Sequence, residues 1–201
     1  MKKKKEYAHI LDITKTGIMA YVEIPKLNIY MPVYHGTDEG VLQIAAGHLP
    51  GSSLPVGGEN THSLISGHRG LPSAKLFTDI DKLKKGDLFF IHVFDEVLAY
   101  KVNQIKIVLP DDVETLEIEK GKDYVTLITC TPYGVNSHRL LVRGERTVYK
   151  QSESKIEDMI KKNNLKYIML TAGVILALIG MTVLVSVFLI KRRKRRKLNE
   201  K

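Results

Sequence analysis

Tyr124–Arg146 reads YVTLITCTPYGVNSHRLLVRGER. The run Tyr124 to Thr129 is made of apolar and Thr residues, which suit a pleated, half-buried strand. Thr131-Pro132-Tyr133-Gly134 are turn formers. Arg139 to Tyr149 returns to strand character. The stretch predicts a strand, a loop and a second strand that can pair. Cys130, the only cysteine of the 201 residues, then closes the first strand, and Arg139 opens the second.

Working outward, Gly17 to Pro25 and Asn28 to Tyr34 read as strands, the second with Pro32 at an edge or bulge. Asp38 to Ala46 predicts a short helix with Asp38 as N-cap. His48 to Asn60 is a loop rich in turn formers. Ser63 to Ser66 is a short apolar strand that leads into Gly67-His68-Arg69-Gly70. Ala74 to Leu83 predicts a short helix and Lys84 to Asp87 a turn. Leu88 to Phe94 and Val97 to Val108 predict a hairpin that turns at Asp95-Glu96. Pro110 to Lys122 is an acidic connection, irregular or with one turn of helix. Many short strands with few short helices argue for a mainly β domain, closed or nearly so, over residues 17–150.

The chain carries a net +9, but +7 of it lies in residues 191–201 and +4 in Lys2–Lys5, which leaves −2 for Glu6 to Ile190. A nucleic-acid-binding domain carries its basic charge on the folded surface, so no nucleic-acid partner is expected. One cysteine excludes an intrachain disulfide framework. Residues 151–166 are polar and read as a linker. Residues 167–190 hold 24 positions without a charge, enough to cross a hydrocarbon core of ~30 Å. The basic run KRRKRRK at Lys191–Lys197 follows at once. Positive residues beside a span stay cytoplasmic. The expected topology is therefore a cell-membrane protein with a single C-terminal span, a cytoplasmic tail over residues 191–201 and an extracellular β domain. Such a domain needs an N-terminal signal. Met1–Lys5 is basic, but charged and polar residues follow it, so none is read there. Either the domain is translocated in a less usual way or, as we expect, a start lies upstream, as a mature form or a mis-assigned start codon would produce.

The lone thiol is either a buried small hydrophobe or a nucleophile. Two features favour the nucleophile. His68 lies in a glycine-flanked loop just after a strand, and a Cys nucleophile needs a base or an imidazolium partner. Arg139 can be brought beside Cys130 by strand pairing, where a guanidinium favours the thiolate and can hold a developing oxyanion. Taken alone, Arg139 also reads as a surface strand arginine. No Asp or Asn stands in an obvious orienting position, so the pattern is not that of papain.

At these residues the sequence resembles the sortases, membrane-anchored cysteine transpeptidases of Gram-positive bacteria. TLITC matches the family's TLxTC motif, ISGHRG carries its histidine and NSHRLLVRG its arginine. EIPKLNIYMPVYHGT, GHLPGSSLPVGGENTHSLISGHRGLPSAKLFTDIDKL and TCTPYGVNSHRLLVRGER look like class C, the pilin-polymerising sortases. The resemblance implies a closed eight-stranded sortase-type β-barrel with short helices, joined here to the C-terminal transmembrane helix. It implies cleavage of an LPxTG-like sorting signal between Thr and Gly. Cys130 would form the thioacyl intermediate, His68 would move the proton and Arg139 would hold the substrate and the oxyanion. Thr129, Thr131 and His138 are further candidates for contact with substrate. The acceptor would be the lysine amine of a pilin, or a cell-wall peptide in a housekeeping-type alternative, and no cofactor or metal is implied. A plain cysteine protease, or a membrane-anchored β-barrel binding module with a structural thiol, remains open. The family's N-terminal lid, with its Asp-Pro-aromatic motif, has no match in residues 1–16. These read as a truncated lid region, and the chain as written is expected to have an open site.

Overall fold

A computed structural model describes residues 6–12, 15–71 and 75–148. The linker, span and tail expected over residues 151–201 lie outside them, as do Met1–Lys5. Among the described residues, no helix is long and apolar enough to cross a membrane.

Eight strands form among these residues: β1 (Ile18–Ile24), β2 (Ile29–His35), β3 (Ala46–His48), β4 (Thr61–Ser66), β5 (Leu88–Val93), β6 (Glu96–Val108), β7 (Asp123–Thr131) and β8 (His138–Arg146). They close into one barrel in the order β1-β2-β3-β4-β7-β8-β6-β5. The expected closed eight-stranded barrel is therefore present. Two pairs are parallel, β2–β3 and β4–β7, and closure comes from the antiparallel β1–β5 pair.

The barrel interior takes alternate side chains, as the pleat requires. Val22, Ile24, Phe89, Ile91, Leu98, Tyr100, Val125, Leu127, Leu140 and Val142 fill it. A second, smaller cluster lies on the opposite face of β4, β7 and β8. Leu64, Ile128 and Leu141 form it, with Leu49, Val108 and Leu116 packed on. Strands buried on both faces read as near-continuous apolar runs rather than as an alternation, which explains the LIT and LLV runs on either side of the Cys130 loop.

Several local expectations need correction. The helix expected over Asp38–Ala46 is a single turn, α1 (Glu39–Leu42), and the Asp38 side chain makes no cap bond. The chain then enters β3, which the sequence does not announce. β3 has three residues, and its central Gly47 lies so near β2's end that a Cβ there would meet the Gly36 carbonyl oxygen at 2.1 Å. The helix expected over Ala74–Leu83 reduces to a 3-10 turn at Ile80–Lys82. The β5–β6 hairpin turns at Phe94-Asp95, one residue early, because Val93 pairs with Glu96 and Phe94 takes φ 53°. β7 continues to Thr131, so Cys130 sits within the strand rather than closing it, and β8 opens at His138 and stops at Arg146.

Candidate active site

Cys130 and Arg139 are directly opposed across the antiparallel β7–β8 pair. Directly opposed residues share a face. That face is the outer one, because Ile128 and Leu141, opposed in the same pair two residues along, belong to the outer cluster. Here a cleft of about 360 Å³ is lined by Cys130, Arg139, His68, Leu49, Val113 and Leu116, among others. The Cys130 thiol is free and half-buried. Arg139 donates from Nη1 to the carbonyls of Asn136 (3.2 Å) and His138 (3.1 Å). Both bonds are to backbone at the mouth of the β7–β8 loop, so they fix the guanidinium without neutralising it.

His68 reaches the cleft because β7 holds the end of β4. Past the last β4 residue, the Gly67 amide donates to the Ile128 carbonyl at 3.0 Å. The Thr129 hydroxyl donates to the Gly67 carbonyl at 2.8 Å. Both backbone groups of Gly67 are thus tied to the strand that carries Cys130. The position accepts only glycine, since a Cβ would lie 2.6 Å from the Phe77 ring. The His68 carbonyl in turn accepts from the Phe77 amide at 3.1 Å. The backbone on both sides of His68 is therefore fixed.

His68 Nε2 is buried and has no hydrogen-bond partner. Glu39 Oε1, from α1, lies 3.5 Å away, an ion-pair distance but too long for a good hydrogen bond. The Glu39 carboxyl is held below its usual range, first by the Gln43 amide and also by His68. A buried ring nitrogen without a partner needs an explanation, and a proton to exchange with a bound substrate is one. Glu39 was not singled out from the sequence.

The other predicted residues divide. Thr129 borders the cleft, but its hydroxyl is committed to Gly67. Thr131 and His138 oppose each other one residue on, and neither lines this cleft. Thr131 Oγ1 accepts from Arg69 Nη1 at 3.4 Å, and His138 Nδ1 lies 2.9 Å from Ser137 Oγ. Arg69 also pairs with Asp81 at 2.5 Å, and its guanidinium lies 5.8 Å from the centre of the Tyr133 ring. This cluster joins the His68 loop to the β7–β8 loop, and sequence reasoning missed it.

It also missed the far wall of the cleft, built by Leu109, Pro110, Asp112, Val113 and Leu116 of the β6–β7 connection. The signal was available: apolar residues recur through an otherwise acidic segment, VLPDDVETLEI. Two more histidines, His48 and His62, are fully buried. Burial holds both below the usual imidazole range. Among the described residues, no group of His, Cys, Asp and Glu is placed to hold a metal ion.

Comparison with known proteins follows the same residues. The sortase domain model matches residues 22–147. Sortase A of Bacillus anthracis is 32% identical over 133 residues, covering 66% of this chain and 61% of that protein. Sortase A of Streptococcus agalactiae is 28% identical over 153 residues, covering 75% of this chain and 61% of that protein. The chain thus spans about three fifths of the length of these curated relatives. Among solved structures, sortase C1 of Streptococcus agalactiae superposes with a TM-score of 0.72 at 58% identity, covering 74% of this chain and 77% of that one. Sortase C-1 of Actinomyces oris gives 0.71 at 48% identity, covering 74% and 82%. With a family model over most of the barrel, and class C structures at this identity, the chain belongs to the sortase family and, within it, to class C.

Proposed function

We propose that this chain is a membrane-anchored cysteine transpeptidase. It cleaves an LPxTG-like sorting signal between Thr and Gly and transfers the acyl group to an amine, in the first instance a pilin lysine. The observation that carries the reading is the convergence of Cys130, Arg139 and an unpartnered His68 ring nitrogen on one cleft. The Cys130 thiolate attacks the Thr carbonyl carbon, and the negative charge moves to the carbonyl oxygen. Arg139 stabilises that oxyanion. His68 gives a proton to the departing glycine nitrogen as the C–N bond breaks, leaving a thioester on Cys130. The acceptor amine then attacks the thioester, loses its proton to His68, and the C–S bond breaks. The pilin acceptor rests on likeness to class C, and one such neighbour, sortase C of Streptococcus pneumoniae, is described in terms of its pilin substrate specificity. Anchoring rests on the uncharged stretch 167–190 and its basic flank, with the catalytic domain outside the cell.

The test incubates the protein with an LPxTG-containing peptide and follows the acyl-enzyme by mass spectrometry. Wild type should gain the acyl mass and pass it to an added amine. Cys130→Ala should gain none, and His68→Ala should turn over at least about 100-fold more slowly. Both should keep the wild-type circular dichroism spectrum. Full activity of Cys130→Ala would sink the reading, leaving a binding module. Hydrolysis that added amine does not divert would make the chain a protease.

A further inference from the structure

We propose that Glu119, Arg143, Tyr124 and His62 form a clamp that sets the width of the substrate cleft by holding the β6–β7 connection at its far end. The proposal rests on the transpeptidase reading above.

The connection has two halves with different surroundings. Its first half walls the cleft. Its second half is bonded to the barrel's outer face. Arg143 lies four residues along β8 from Arg139, hence on the same face and about 13 Å away along the strand. Its Nη1 meets Glu119 Oε1 at 2.8 Å, and the Tyr124 hydroxyl donates to Glu119 Oε2 at 3.1 Å. Arg143 is itself fixed: its guanidinium carbon lies 4.0 Å from the centre of the Tyr124 ring, and its Nε donates to Asn103 Oδ1 at 3.1 Å. Two residues earlier, the Glu117 carbonyl faces His62 Nδ1 at 3.0 Å. His62 Nε2 lies 2.7 Å from Thr126 Oγ1. Nδ1 faces an acceptor, so it carries the proton, and Nε2 accepts from the Thr126 hydroxyl. One carboxylate and one carbonyl of the connection are therefore gripped by β4, β7 and β8.

What makes this grip functional is the space beneath the wall. A groove of about 430 Å³ runs under the connection and shares Leu49, Val113 and Leu116 with the cleft. Of the wall's apolar side chains, Leu116 packs on the outer cluster, whereas Leu109 and Val113 are mostly exposed. The wall thus rests on the barrel at Leu116 and leaves its other large apolar side chains in solvent. Leu116 alone adds little to fix its position, and the clamp at Glu117 and Glu119 is the next grip along the connection, ahead of the bonds of Gly121 to Asn60 and of Lys122 to Thr61 and Glu145. Loosening the clamp lets the wall move where substrate is held, while Cys130, His68 and Arg139, each fixed by other bonds, stay in place.

Glu119→Gln and Arg143→Gln should each raise KM for the sorting-signal peptide about fivefold or more, the scale of an ordinary coupling between sites. They should leave kcat within about twofold, the pattern of lost binding rather than lost chemistry. The rate at which a small alkylating reagent labels Cys130 should not change. The double variant should be no worse than the poorer single one, because each change removes the same contact. Glu119 is half-exposed, so its variant tests the clamp without threatening the fold. Unchanged KM in Glu119→Gln overturns the proposal. So does a parallel loss of kcat and of thiol labelling, which would mean general damage. A wild type that forms no acyl-enzyme defeats the transpeptidase reading instead, and the two failures are thereby distinct.

Discussion

Thr129 stands next to Cys130 in the chain but faces the other way, and its hydroxyl serves the Gly67 carbonyl rather than the cleft. This separates two roles that adjacent residues suggest are one. Thr129 is buried, so Thr129→Val leaves that carbonyl without its donor at nearly unchanged volume. The expected cost is about 1–3 kcal/mol of stability, measured by urea denaturation. The accompanying sign is a fall in kcat with KM nearly unchanged, since the loop that slackens carries the proposed proton donor, His68, rather than the peptide. The Arg69–Asp81 pair belongs to the same scale, bracing the His68 loop from its other end.

At the scale of elements, the shortest strand is the one most sensitive to a single methyl group. β3 pairs parallel with β2 and antiparallel with β4, so it is the link between the two halves of the barrel. Gly47→Ala puts a methyl group into the Gly36 carbonyl. The backbone there cannot yield as a side-chain tip could, so the loss should reach about 3 kcal/mol, read as a lowered Tm. Legibility follows length and periodicity. β7 was readable from YVTLIT because both its faces are buried, and β5 and β6 from their β-forming runs. β3 was not, since three residues with a central glycine hold no period. The site divided the same way. Cys130 and Arg139 were legible because one hairpin carries both. His68 was legible as a histidine between glycines. Glu39 and the connection wall were not, because which face of the barrel a connection crosses is decided by tertiary packing.

At the scale of the whole molecule, the Tyr100 hydroxyl gives the barrel interior a pH dependence. Tyr100 is completely buried, stacks on Phe89 with ring centres 5.7 Å apart, and donates to Asp123 Oδ1 at 2.9 Å. Burial first, and the Asp123 charge second, push its hydroxyl well above the ordinary phenol range, with Arg146 opposing. The folded state therefore favours the neutral phenol more than the unfolded chain does. Its contribution is complete below the unfolded value of about 10 and is lost as pH rises past it. Denaturant unfolding of wild type should weaken steadily above pH 10. Tyr100→Phe should start only about 1–2 kcal/mol less stable at pH 7, since Asp123 keeps the Gly58 amide at 2.8 Å, and should decline less steeply above pH 10, because the titrating phenol is gone.

The bond from Thr129 to Gly67 joins residues 62 positions apart in the chain. Contacts so distant are made only after a large loop has been closed, and barrels dominated by them assemble slowly. The β4–β7 pairing that aligns the proposed acid and nucleophile is such a contact, so a nascent or half-assembled chain carries a thiol without its proposed proton donor. Competence to react arrives with the barrel itself, which makes the onset of turnover a clock for the completion of folding.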